Sequence, residues 1–107
     1  MSDLNIVRRG QSSSDLKLIS EYIAEDNIDA GFRFLIAAEE AIHQLTLHPE
    51  LGRPQSFRAP RLRNLRSWRV SGFENYLIFY RYSPGVLEIL RVIHGARDLR
   101  RALPGGE

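Results

Sequence analysis

The sequence has 107 residues, 43% of them hydrophobic, which is enough for one compact domain with a core of its own. The absence of cysteine excludes disulfides and thiolate metal sites, and no stretch approaches the roughly 20 apolar residues that cross a bilayer. The first residues also lack the basic start and apolar run of a secretory signal. We therefore expect a single cytoplasmic domain over residues 1–107, with no membrane contact, cofactor or metal.

The formal net charge is +2, but the charges are distributed unevenly along the chain. Residues 1–52 have four basic and nine acidic side chains, whereas residues 53–107 have eleven arginines and four acidic side chains. Two interpretations stay open. Either the arginine-rich half binds an anionic partner, or the two halves neutralise each other within the fold.

The first predicted elements are an edge strand and a helix. Alternation over Leu4–Arg8 predicts the strand, and a helical period begins at Ser13, with Ser12 or Ser13 as the expected N-cap. We expect the charged side chains of this helix, Asp15 among them, to be turned mostly towards solvent. Its apolar face should consist of Leu16, Ile19 and Ile23.

A second helix should begin near Asn27, because an asparagine side chain can accept a hydrogen bond from an amide of the first turn. Pro49 should end it, since proline disfavours helical backbone at the preceding residue, His48. A tight connection between the two helices predicts a helical hairpin. The apolar stripe predicted for the second helix is Phe32, Leu35, Ala38, Ile42 and Leu45.

The second half of the chain changes to a period of two, which is typical of strands. Short turns at residues 71–74 and 83–85 suit antiparallel hairpins. The run at residues 76–80 is apolar or aromatic throughout, so we place that strand centrally. A short helix over Asp98–Leu103 and a disordered tail at residues 104–107 complete the chain. The three predicted strands are Leu65–Val70, Tyr76–Tyr82 and Val86–His94.

This order of elements predicts an α+β fold. The helical hairpin should pack on one face of a small, curved antiparallel sheet, with the first strand at an edge and a short helix at the C-terminus. The opposite face of the sheet would then be left as the working surface.

The order of elements, together with the string LEILRVIHGARDLRRAL at residues 87–103, resembles the RelE/ParE toxin superfamily. The stretch Arg91–Asp98 is most similar to its ParE branch, and the resemblance covers nearly the whole chain. Further matching pieces occur in the same order, at residues 15–19, 22–24, 48–54 and 76–82.

The resemblance implies the toxin of a type II toxin-antitoxin system, acting as a protein inhibitor of DNA gyrase rather than as an enzyme. It also implies neutralisation by a cognate ParD-like antitoxin with a ribbon-helix-helix part and a tail that folds on the toxin. Either a homodimer or a toxin-antitoxin hetero-oligomer is compatible with the sequence. Direct binding to nucleic acid is left open.

The alternative from the same superfamily is a ribosome-dependent mRNA endoribonuclease of the RelE type. Such an enzyme would use His94 for proton transfer and Arg97 to stabilise the charge on the scissile phosphate. The nuclease set is incomplete here, because Leu103 stands nearest to the position of the expected tyrosine. A structural interpretation also exists: His94 caps a turn at the strand end, and Arg97 pairs locally with Asp98.

Six residues are the candidates for binding the target or the antitoxin: Arg81, Arg91, His94 and Arg97, with Arg66 and Trp68 in second place. Alternation on a strand places Arg66 and Trp68 on one face, although a tryptophan at such a position is more often part of the core.

A nucleic-acid-binding module is a third interpretation, supported by the arginine content. His43 and His48 point about 140° apart on a helix, which is poor geometry for a shared metal.

Overall fold

The computed structural model describes residues 4–103, with side chains described for all of them except residues 100–102. The predicted tail at residues 104–107 lies outside the described residues. The elements in chain order are β1 (Asn5–Arg8), α1 (Gly10–Asp26), α2 (Ile28–Leu47), β2 (Arg53–Pro54), β3 (Arg66–Val70), β4 (Phe73–Ser83), β5 (Val86–His94) and α3 (Gly95–Ala102).

The strands form one sheet in the order β1-β5-β4-β3-β2. The predicted positions of β1 at an edge and of β4 in the centre are confirmed. The sheet is not entirely antiparallel, because β1 pairs with β5 in parallel. A parallel pair needs a long crossover, which the helices and the other strands between β1 and β5 provide. The two-residue strand β2 was not predicted, since two residues have no detectable period.

The two long helices form the predicted hairpin, with Asn27 as the single residue between them. The Asn27 side chain accepts a hydrogen bond from the amide of Ala30 at 3.0 Å, which confirms it as the cap of α2. A Cβ at Gly31 would lie 2.7 Å from the carbonyl oxygen of Ser20, so the helices approach too closely for a side chain there.

The predicted start of α1 is wrong. The helix begins at Gly10, with Arg9 as the capping residue and no side-chain cap. Ser12 lies inside the first turn, where it is buried and its hydroxyl donates to the Arg9 carbonyl at 2.7 Å. A serine near a helix start can hydrogen bond to the backbone from within the helix as well as from the cap position, and the sequence does not distinguish these cases.

The helices pack on one face of the sheet and enclose the first of two cores. Phe32, which was predicted to belong to the apolar stripe of α2, is 63% exposed, and Phe34 is fully buried in its place. Phe34 packs edge-on against Phe73 and Tyr76. The other core residues of this face include Ala38, Ile42, Leu45, Ile78, Tyr80, Leu87, Ile89 and Val92.

The opposite face of the sheet is not the open working surface that we expected. The segment between β2 and β3 crosses it and buries Leu62 and Leu65 against Phe79, and Leu103 at the end of α3 packs into the same cluster. This second core is possible because β4 has apolar side chains on both faces. The surface available for binding on this side is therefore the outside of the covering segment and the edges of the sheet.

Both hairpin turns are tighter than predicted. Val70 pairs with Phe73 and Ser83 pairs with Val86, so two residues form each turn. The second residue of each is a glycine at positive φ, Gly72 at 84° and Gly85 at 81°, a conformation that glycine adopts at no steric cost.

The last helix also begins earlier than predicted, at Gly95 instead of Asp98. No helix within residues 4–103 is long and apolar enough to cross a membrane.

Candidate functional site

A cleft of about 440 Å³ opens where α1 passes the end of β5 and the start of α3. It brings together three of the six predicted site residues, Arg91, His94 and Arg97. The wall formed by α1 is largely apolar, since Leu18 and Tyr22 are 62% and 56% exposed there. The remaining lining residues are Asp15, Ile19, Tyr76, Val92, Ile93 and Asp98.

Arg91 is held at the floor of this cleft by Asp15. Its Nε and Nη2 atoms donate to the two carboxylate oxygens at 2.8 and 3.0 Å, a bidentate pair with little freedom to rotate. The Asp15 carboxylate also accepts a hydrogen bond from the Val92 amide at 2.9 Å. The expectation that Asp15 faces solvent is therefore wrong, because Asp15 is buried and joins α1 to β5.

His94 caps α3, as the structural interpretation expected. Its Nδ1 accepts a hydrogen bond from the Arg97 amide at 3.1 Å, so a neutral His94 has its proton on Nε2. The ring also packs edge-on against Tyr76, with ring centroids 5.4 Å apart. One nitrogen of the imidazole is thus engaged in holding the start of the helix.

Arg97 is the most accessible cation of the cleft, with half of its side chain exposed. It pairs with Asp98 at 3.3 Å, as expected, and its guanidinium lies 5.6 Å from the centre of the Tyr22 ring. Hydrogen bonding to Asp98 raises the pKa of this guanidinium, so Arg97 stays charged at any physiological pH. An exposed cation beside an aromatic ring and an exposed leucine is the kind of group that dominates protein interfaces.

Arg81 lies apart from the cleft and holds the covering segment on the sheet. Its Nη1 donates to the carbonyls of Arg61 and Arg63 at 2.9 and 3.2 Å, and its Nε donates to Glu88 at 2.8 Å. Glu88 also pairs with Arg9, directly after β1. Although burial alone would raise the pKa of Glu88, the hydrogen bonds from both arginines outweigh it and lower the pKa.

Arg66 and Trp68 occupy a third location, on the side of the sheet that faces the helices. Arg66 donates to the carbonyls of Glu50 and Gly52 at 3.1 and 2.8 Å, and it lies over the ring of Tyr82. Trp68 is half-buried and packs against the first core, as the core interpretation of this residue expected. The six predicted residues therefore occupy three separate places and do not form one surface.

The cleft has the groups to bind an anionic or aromatic partner but lacks an evident acid-base pair. Leu103, which stands nearest to the position of the nuclease tyrosine, is buried in the second core. His94 and Arg97 are both hydrogen bonded within the chain. Within residues 4–103, no three His, Asp or Glu side chains come together in a group that could hold a metal.

Four residues that line the cleft were not among the predicted site residues: Asp15, Leu18, Tyr22 and Tyr76. Tyr22 could have been found, since it stands one helical turn after Leu18 and a turn before Asp26, on a face that mixes apolar and acidic residues. The role of Asp15 could not have been found in this way, because its partner, Arg91, is 76 residues away in the chain.

The comparisons with known proteins agree with this architecture. Among solved structures, the fold is similar to a chain of the "Chromosomal ParDE TA system from P. aeruginosa", with a TM-score of 0.67 and 14% sequence identity, covering 85% of this chain and 95% of that chain. No protein of curated function matches the sequence. The family model described as "ParE toxin of type II toxin-antitoxin system, parDE" matches residues 6–99, which include both long helices, all of the sheet except Asn5, and every residue of the cleft. By that match, the chain belongs to the ParE toxin family of type II toxin-antitoxin systems.

Proposed function

We propose that this toxin inhibits DNA gyrase in the cytoplasm by binding the enzyme through the cleft of Arg91, His94 and Arg97, and that it cuts no RNA. In this proposal Arg97 contacts the target directly, with Tyr22 and Leu18 beside it. Arg91 and His94 act by keeping β5 and the start of α3 in position. Arg81, Arg66 and Trp68 support the surrounding structure.

The proposal rests on the hydrogen bonds that His94 and Arg97 already make within the chain. A ribonuclease needs a group that is free to take or give a proton next to a cation that is free to bind phosphate. Here the His94 Nδ1 accepts the Arg97 amide, and the Asp98 carboxylate competes with any phosphate for the Arg97 guanidinium. Binding to another protein requires neither of these free groups. An arginine that already stacks on an aromatic ring contributes to an interface once a partner buries it.

A ParD-like antitoxin would neutralise the toxin by covering the same cleft. An amphipathic tail that folds on binding needs apolar anchors and an opposite charge. Leu18 and Tyr22 offer the anchors and Arg97 offers the charge. The similar solved structure is of a ParDE system, which is consistent with an antitoxin of this kind.

Supercoiling of a relaxed plasmid by purified gyrase tests the site. We expect the wild-type chain to inhibit supercoiling and Arg97→Ala to raise the inhibitory concentration by about tenfold or more, as truncation of a central interface arginine does. Arg33→Ala is the matched control, because Arg33 is an exposed arginine on α2, away from the cleft. Equal inhibition by the wild type and Arg97→Ala would exclude Arg97 from the target site.

A further inference from the structure

The charges of this molecule are separated between its two sides. The helical segment at residues 10–47 has seven acidic and two basic side chains. The segment at residues 51–73 has six arginines and no acidic residue. The helices cover one face of the sheet, and the second segment crosses the other, so a strongly cationic surface lies opposite an anionic one.

Four of these six arginines lie on the side of the molecule away from the helices, whereas Arg66 faces the helices. Arg53 on β2 pairs with Ser67, and Arg69 lies two residues further along β3, so all three side chains point to the face away from the helices. Arg53 and Arg69 line a shared groove of about 610 Å³ together with Glu74, whose carboxylate accepts a hydrogen bond from the Gly72 amide. Arg58 and Arg63 lie in the segment that covers the same face, and both are exposed. We call Arg53, Arg58, Arg63 and Arg69 the arginine surface.

The backbone that carries these side chains is fixed by other residues. Arg81 holds the carbonyls of Arg61 and Arg63, and Arg66 holds that of Gly52. Gln55 donates to the Ser67 hydroxyl at 2.8 Å, which ties the segment to β3. Among residues 4–103, no carboxylate pairs with a member of the arginine surface. The surface is therefore both cationic and preorganised.

We propose that the arginine surface binds the phosphate backbone of a nucleic-acid duplex, independently of base sequence. Arginines spaced over strands and loops neutralise phosphates, which is the main source of non-specific affinity for a duplex. A single strand would need exposed aromatic rings for stacking. Phe57 and Phe79 on this side pack into the second core instead, and Trp68, the aromatic residue that lines the groove of Arg53 and Arg69, is partly buried against the first core.

An acidic protein segment is a weaker candidate for the same surface. A segment that folds on binding needs apolar anchors in addition to charge. The groove offers Leu51 as an exposed apolar side chain, but the larger set on the helical hairpin, such as Phe32 and Ile36, is on the opposite, acidic side. The proposal goes beyond gyrase inhibition and does not depend on it, since duplex binding and supercoiling are measured separately.

Fluorescence anisotropy with a labelled 20-base-pair DNA, an RNA duplex of the same sequence and the DNA single strand tests the proposal. We expect duplex binding at 50 mM salt that weakens steeply as salt increases. Arg58→Gln/Arg69→Gln should raise the Kd at 100 mM salt by about tenfold or more and lower the slope of log K against log salt by about 1.8, because each phosphate contact contributes about 0.9. A preference for DNA or for RNA would identify the source of the duplex.

Lys17→Gln/Arg33→Gln is the matched control, since it removes two exposed positive charges from the helical hairpin. Its Kd should stay within about twofold of the wild type. An equal loss in both double variants would overturn the proposal, as would a Kd of Arg58→Gln/Arg69→Gln equal to the wild type. Binding of a labelled oligoglutamate peptide without binding of either duplex would assign the surface to an acidic protein instead. Arg53→Gln/Arg63→Gln provides a second double variant if the first unfolds at a lower temperature.

Discussion

Arg91 and Arg97 both line the cleft and both belong to the stretch Arg91–Asp98, but their salt-bridge partners differ. Arg91 is paired with a buried carboxylate, and about a fifth of its side chain is exposed. Arg97 is half exposed and pairs with a neighbour that is itself partly exposed. Because pairing between exposed groups contributes little to stability, we expect substitution of Arg97 to affect binding and substitution of Arg91 to affect the fold.

We predict that Arg91→Ala lowers the free energy of unfolding by about 3 kcal/mol, because it leaves the buried Asp15 carboxylate with only the Val92 amide as a donor. Urea denaturation followed by circular dichroism measures this change. Asp15→Ala/Arg91→Ala should be less destabilised than the single variant, since the uncompensated charge is gone. A single variant as stable as the wild type would show that the pair does not hold α1 to β5.

Local contacts of single residues were predictable from the sequence, and contacts between distant residues were not. The cap by His94 and its neighbouring Arg97–Asp98 pair could be inferred because all three lie within five positions at the end of a strand. The burial of Asp15 could not, because an acidic residue on a helix is usually solvated. Tyr80 is a similar case: its hydroxyl accepts from the Gly52 amide and donates to the Pro49 carbonyl, both at 2.7 Å, across some 30 residues.

Three strands meet at Glu88, where one carboxylate joins elements that are distant in the sequence. The carboxylate lies on β5, accepts from Arg81 on β4, and pairs with Arg9 directly after β1. Arg81 also holds the covering segment. The lowered pKa of Glu88 therefore links protonation of one side chain to the attachment of both the edge strand and this segment.

We predict that Glu88→Gln reduces the stability of the fold at neutral pH more than at acidic pH. A folded pKa below the ordinary value of about 4.3 gives stability that is fully present above that value and is lost as the pH falls through the folded pKa. Urea denaturation between pH 2.5 and 7 should show a difference between wild type and variant that is largest near pH 7 and shrinks below pH 4. A difference that grows with acidity would contradict the lowered pKa.

Periodicity predicted the regular elements well and the irregular ones poorly. The helices and the three longer strands each repeat their apolar residues often enough to be recognised. The prediction that Phe32 belongs to the buried stripe of α2 was wrong, and Phe34 is buried instead. Residues two apart on a helix lie about 200° apart, so the two phenylalanines are on opposite sides, and the sequence pattern allows either side to begin the apolar stripe. The segment that covers the second face of the sheet has no period at all, and its burial depends on Leu62 and Leu65 meeting Phe79.

The whole molecule presents three surfaces of different character. The cleft at the end of β5 combines an apolar wall with Arg97, the arginine surface is cationic, and the outer side of the helical hairpin is acidic with exposed apolar residues. Pairs such as Arg9–Glu88 and Arg91–Asp15 connect the acidic and basic halves of the chain. They leave the arginine surface without a paired carboxylate within residues 4–103, so the two halves only partly neutralise each other.

The most direct measurement of the proposed function is a paired assay of the purified toxin. One arm follows supercoiling and trapping of the cleaved DNA complex by gyrase, and the other follows ribosome-dependent cutting of mRNA. We predict inhibited supercoiling with trapped cleavage complexes and intact mRNA. Cut mRNA with normal supercoiling would contradict gyrase inhibition as the function and would assign proton transfer to His94 and phosphate binding to Arg97.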